Sequence, residues 1–227
     1  MVASQVFSGE DRAAVSAAVA EAEKRTAGEI VPVVATASDR YERAEDTFGL
    51  WMAVVAVTAA WIFLQGLRPV AGEWASETRW EISLGLLPLL ALFVGMWIAG
   101  VILASRVPLL KRFAVTRSAQ RRAVEEAAER AFEGCHARRT KGATGIVLYI
   151  SLFERMVTVQ ADRAVAEKVD PSEWKAVCDG LVRAMREGKR REGLVEAVRK
   201  CGDLLAKHLP VQPGDVNELP NELRLLD

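Results

Sequence analysis

Apolar side chains recur along most of this chain either every three to four positions or every second one, but in two stretches they are continuous. From Thr47 to Leu67, and again from Ile82 to Ser105, no ionisable residue interrupts the run. A helix needs about 20 apolar residues to cross roughly 30 Å of hydrocarbon, so both runs predict bilayer spans. Pro88, Gly85, Gly95 and Gly100 fall in the second run, and a membrane helix tolerates such residues better than a soluble one. Trp51 and Trp61 in the first run, with Trp74 and Trp80 in the short loop between the runs, are amphipathic aromatics suited to the headgroup layer.

The periodic stretches predict a soluble domain on either side of this hairpin. Ser8 is placed to cap a helix whose first turn holds Glu10 and Asp11, and Val15, Val19 and Ala22 give it a small apolar face running to about Arg25, with Gly28 as a stop. Residues 29–37 are rich in valine and predict a strand, at an edge or irregular position because Pro32 lacks a ladder donor. Val124, Ala128, Ala131 and Phe132 mark a helix over residues 118–138. Thr144–Leu152 and Met156–Ala161 predict an antiparallel hairpin, and the first of these is apolar on both faces, as a central strand is. Asp170, Pro171 and Glu173 form a helix start of cap, first-turn proline and capping-box acid. The buried face that follows carries Trp174, Val177, Leu181 and Met185. Beyond Gly188 a last helix turns Leu194, Val198, Cys201 and Leu205 inward until Pro210, and the periodicity of residues 211–227 is weak, as in a disordered tail or one that docks on a partner.

The resulting organisation is residues 1–45 as the first part of a domain, 46–106 as the membrane hairpin, 107–209 as the second part and 210–227 as a tail. Two spans put both parts on one side of the bilayer. Arg40, Arg43, Arg106, Lys111, Arg112 and Arg117 flank the hairpin, against Arg68 and Arg79 in its loop, so the positive-inside rule predicts a cytoplasmic domain with both termini inside. A formal net charge of zero argues against nucleic acid as a partner. Cys135, Cys178 and Cys201 lack any metal or redox spacing and read as reduced core thiols.

For chemistry, Asp162, Glu167, Asp170 and Glu173 are the densest carboxylate group, at a strand end, and their oxygens suit a hard cation such as calcium. The simpler reading makes Asp170 and Glu173 caps and leaves Glu167 solvated. His136 and His208 have no ligand-spaced neighbour, Ser151 lacks a nucleophile elbow, and Glu29 reads as a solvated edge residue. Gly95 and Gly100 are small residues on a span and suggest a homo-oligomeric contact, although their spacing is not GxxxG.

Several segments together resemble the TPM domain family. They are Phe7-Ser8, residues 26–34 (TAGEIVPVV), residues 144–155 (TGIVLYISLFER), residues 161–165 (ADRAV), residues 185–194 (MREGKRREGL) and residues 217–220 (NELP). The resemblance is to bacterial membrane members, and it implies an α/β fold: an α/β/α sandwich with a small mixed sheet, interrupted by a transmembrane hairpin in the bacterial inner membrane. It also implies a choice of roles, since some relatives assist assembly or repair of membrane complexes while others are described as weak acid phosphatases or bind calcium. With no catalytic constellation in the sequence, the expectation is a membrane-anchored binding or assembly module whose partners are the bilayer and a membrane protein. The alternative is a weak metal-dependent acid phosphatase associated with calcium.

Overall fold

A computed structural model describes residues 2–39, 41–65, 86–107, 115–135, 137, 142–211 and 217–227. Trp74, Trp80, His136, the hairpin loop and several of its flanking basic residues lie outside the described residues. The chain divides into two units, one of residues 1–39 with 118–227 and one of residues 40–117.

The first unit is built on a four-stranded mixed sheet in the order β3-β2-β1-β4, with β1 Glu29–Ala35, β2 Gly145–Ser151, β3 Met156–Ala161 and β4 Arg224–Leu226. β1 runs parallel to β2 and to β4, and β2 runs antiparallel to β3. Every residue of β1 and β2 is buried, because alternate side chains feed two different cores. Ile30, Val34, Ile146, Leu148 and Ile150 pack against helices on one face, while Val31, Val33, Val147 and Tyr149 pack on the other.

The first face is covered by α2 Gly9–Glu23 and, after the hairpin and the sheet, by two long helices, Pro171–Arg186 and Arg190–His208. The opposite face is covered by the helix Arg117–Gly134 through Val124, Ala128, Ala131 and Phe132. In chain order these are α1 Ala3–Val6, α2, α3 Glu42–Gln65, α4 Leu86–Arg106, α5 Arg117–Gly134, α6 Arg163–Ala166, α7 Pro171–Arg186 and α8 Arg190–His208. The α/β/α layering thus follows from a sheet that is apolar on both sides.

Local chemistry sets the helix ends. Ser8 and Asp11 make a reciprocal capping box on α2, and Asp170 caps α7, with Pro171 at its first position. Glu173 does not close a box there: its carboxylate meets Lys207 at 3.1 Å and His208 at 3.7 Å instead. Gly188, at φ +80, makes the turn between α7 and α8 that a side chain would strain. α2 ends at Glu23, before the predicted Arg25, and α8 crosses it so closely that a Cβ on Gly202 would lie 2.6 Å from the Cβ of Ala22.

Two expectations are corrected by the pairing. β1 is an interior strand despite Pro32. Glu29 N donates to Thr144 O and Thr36 N to Leu226 O, so even-numbered N–H groups of β1 face β4, and the three-residue β4 only starts opposite Val33. Proline therefore stands where no ladder bond is lost. The weakly periodic tail ends as β4, paired to β1 at one edge of the sheet, with Leu223 buried in the core on one face and Leu219 in the core on the other.

The second unit contains α3 and α4 packed along each other. Both are long and apolar enough to cross a membrane, over Glu45–Phe63 and Leu86–Arg106, by length and composition. A Cβ on Gly100 would fall 2.7 Å from the Cα of Gly49, and one on Gly49 would fall 2.7 Å from the carbonyl oxygen of Trp97. Gly100 is thus spent on the packing of α4 against α3, whereas a Cβ on Gly95 would meet nothing within 4 Å.

Candidate functional site

The four predicted carboxylates stand close in sequence but make separate local contacts. Asp162 caps α6, its Oδ1 accepting from Arg163 N at 2.7 Å. Glu167 is exposed and pairs with Arg163 at 2.8 Å. Asp170 Oδ1 accepts from Ser172 N at 2.7 Å, which holds its carboxyl below the usual range. Glu173 is held low by Lys207 in the same way. Calcium asks for six to eight oxygens around one point. Among the described residues no three His, Cys, Asp or Glu side chains gather as a metal ion would require. Asp162 Oδ2 is nevertheless buried without a hydrogen-bond partner. The donor set as it stands does not fit a calcium site.

Polar groups that the sequence reading did not single out as sites do converge, at opposite ends of the two central strands. Beyond the C-terminal ends of β1 and β2, where α/β folds commonly place binding groups, Glu154 is 3 % exposed. Its Oε1 accepts from Ser38 N at 3.0 Å and its Oε2 accepts from Ser151 Oγ. Ser38 Oγ lies 3.3 Å from the Tyr149 hydroxyl, and Arg130 of α5 donates to Ser38 O at 3.3 Å. Burial pushes the Tyr149 phenol above its usual value, so it stays protonated and neutral at physiological pH. This network is a brace that ties the exit of β1 to the β2–β3 turn. Its hydroxyls are buried and already bonded, which leaves Ser151 unsuited to attack a substrate.

At the other end, Glu29 is 7 % exposed, a correction to its reading as a solvated residue. Its Oε1 accepts from Glu218 N at 3.0 Å. Glu23, at the end of α2, accepts from Ile30 N at 2.9 Å and from Asn217 Nδ2 at 3.4 Å. Burial, reinforced by the charge of Glu29, pushes the Glu23 carboxyl up to about 8. The pair binds residues 217–221 to the head of β1. The segment was visible in sequence as Asn-Glu-Leu-Pro, but its acidic partners are some 190 positions away.

The thiols are held in their protonated form by burial. Cys135 and Cys201 are buried and Cys178 half-buried, all three free, and burial raises each above its usual value, Cys178 to about 11. His208 is half-buried beside Glu173.

The geometry on the page is that of a mixed α/β sandwich with a polar brace at each end of its two central strands. The family model of the TPM domain matches residues 111–204. Because β1, from before the hairpin, pairs with β2, from inside the matched region, the folded domain also takes in residues outside that match. Among solved structures the chain resembles the NMR structure of BA42 protein from the psychrophilic bacterium Bizionia argentinensis, at 17% identity and a TM-score of 0.54, over 96% of this chain and 94% of that one. That likeness shows the fold. No curated protein matches the chain.

Proposed function

We propose that this protein is a membrane-anchored TPM domain that binds or assembles a membrane protein complex and performs no chemistry of its own. One observation carries the anchoring: α3 and α4 expose large apolar side chains along their length, Trp51 at 66%, Phe63 at 69% and Leu87 at 79%, which water would penalise and a bilayer would accept. The parallel pairing of β1 with β2 supports two crossings, since strands on either side of the hairpin can meet only if an even number of spans separates them. Basic residues beside the spans favour the cytoplasmic face for the domain. The binding role is supported by polar groups that are committed to bracing the fold and by carboxylates already used as caps and ion pairs.

The test is in-cell crosslinking followed by mild-detergent affinity purification from native membranes, with protease accessibility of each terminus in inverted vesicles. The proposal expects a stoichiometric membrane-protein partner and termini open to protease in those vesicles. A protein that comes out alone, or is released from membranes by alkaline carbonate, refutes it. The alternative, a calcium-associated phosphatase, rests on the buried, unbonded Asp162 Oδ2 and would then be pursued by phosphoester hydrolysis.

A further inference from the structure

The two edges of the sheet differ in a way that bears on what the domain binds. β4 is three residues long, whereas β3 presents six residues and contains no proline and no charge. Proteins usually blunt a long edge with lysine, proline or a bulge, because its unpaired backbone groups invite another strand. The register identifies those groups. Asp162 N donates to Gly145 O at 2.9 Å, so Gln160, Thr158 and Met156 form the bonded pairs with β2, and the N–H and C=O of Val157, Val159 and Ala161 point away from the sheet. No hydrogen bond to these outward groups occurs among the described residues. All six residues are half-buried, in contrast to the fully buried β2, and Val157, Val159 and Ala161 rest their side chains on the core, which makes the edge firm.

The ends of this edge carry the same charge. Arg155 is exposed and held at φ 56 at the entry to β3, and Arg163 is exposed just beyond its exit, with Lys168 exposed on the segment that follows. The carboxylates nearby do not offset them in kind: Glu154 and Asp162 are buried, and the Glu167 paired with Arg163 is an exposed partner easily exchanged. This pattern weighs against a second copy of the chain. A full-length antiparallel β3–β3 pairing centred on Val159 would set Arg155 opposite Arg163 at both ends, and like charges directly opposed are destabilising.

Resting on the binding-module reading above, we propose that the β3 edge is the docking strand for an extended segment of a partner protein, a short uncharged β-rich stretch with carboxylates at both ends. The outward backbone groups of Val157, Val159 and Ala161 supply the hydrogen bonds, and Arg155 and Arg163, separated by on the order of 25 Å of strand, select the acidic flanks.

The test uses the full chain in nanodiscs and two synthetic peptides of alternating threonine and valine, one with two glutamates at each end and one with two lysines. The acid-ended peptide is expected to bind at least tenfold tighter and to slow amide exchange at Val157, Val159 and Ala161. Val159→Pro removes an outward N–H together with the valine's packing on the core, so it should weaken binding at least tenfold while the bonds between β3 and β2 persist, whereas Val159→Ala gives up the same packing, keeps the N–H and should bind like wild type. The double variant Arg155→Glu with Arg163→Glu should reverse the preference towards the lysine-ended peptide without touching the strand. Equal binding of both peptides, no protection of the outward amides, or dimers crosslinked through β3 that exclude the peptide would each overturn the proposal. The assembly reading fails separately: a partner that copurifies equally with wild type and Val159→Pro leaves that reading standing and removes the β3 edge, whereas peptide binding without any copurifying partner does the reverse.

Discussion

Replacing Glu154 by alanine examines the brace between the two central strands. In the native protein its carboxylate receives the Ser38 N–H and the Ser151 hydroxyl, all three residues being at least nine-tenths buried. Alanine removes both acceptors at once and leaves two buried donors unsatisfied, at about 1 to 3 kcal/mol each. With partial relaxation around the two donors the expected loss is about 2 to 4 kcal/mol, a large share of the roughly 5 to 15 kcal/mol that holds a typical domain. Glu154→Gln keeps an oxygen for Ser38 and should lose only about 1 kcal/mol. Ser151→Ala in the Glu154→Ala background removes one of the orphaned donors, so the double variant should be less destabilised than the sum of the singles. Urea unfolding of the full chain in mild detergent, read by hydrogen exchange at Ser38 and in β1 and β2, compares these variants and Ser151→Ala alone with wild type. A Glu154→Ala variant within about 0.5 kcal/mol of wild type, with Ser38 exchange unchanged, would refute the brace; surface substitutions commonly fall in that range.

Other outcomes follow from the same structure. Glu23 is pushed up to about 8 from 4.5, so the folded state holds a proton that the unfolded chain releases. Stability should therefore fall as pH rises from about 4.5 to 8 and level off above. The loss is about 1 to 2 kcal/mol after allowance for partial exposure, and Glu23→Gln should flatten that part of the pH–stability curve. Gly100→Leu drives a side chain onto the backbone of Gly49 and should destabilise the α3–α4 pair by about 3 kcal/mol, seen as a lower melting temperature in detergent and lost crosslinking between cysteines placed on the two helices. Leu205→Ala, at a fully buried position of α8 that also covers Gly28, should lose about 2 to 5 kcal/mol in the same urea assay. Millimolar calcium should leave the unfolding midpoint unmoved, because the carboxylates from Asp162 to Glu173 are spread over separate caps and pairs; a calcium-dependent rise abolished by Asp162→Ala would restore the phosphatase alternative.

Short-range physics was legible in the sequence. Uninterrupted apolar runs, the Ser8 and Asp170 caps, the β2–β3 hairpin and the inward faces of α7 and α8 all depend on residues within a few turns of each other, and the structure has them with ends shifted by a few positions. The resemblance to TPM domains likewise rested on short segments in a fixed order. What depended on distant partners was not legible. Pro32 is tolerated in an interior strand only because β4 is too short to reach it, and β4 arrives from the far end of the chain. Glu29 read as a solvated charge, but Glu218 and Asn217 close over the head of β1, and Glu154, which lies between the two predicted hairpin strands, is met by Ser38 from the other side of the membrane hairpin. Gly100 could be recognised as small, but only the crossing of α3 shows that Gly49 is what it admits. A sequence carries the periodicity and capping that make elements. The pairing of elements remote in sequence is chosen by the burial and hydrogen bonding of the whole domain, and that choice decides which polar residues become braces and which edge stays open.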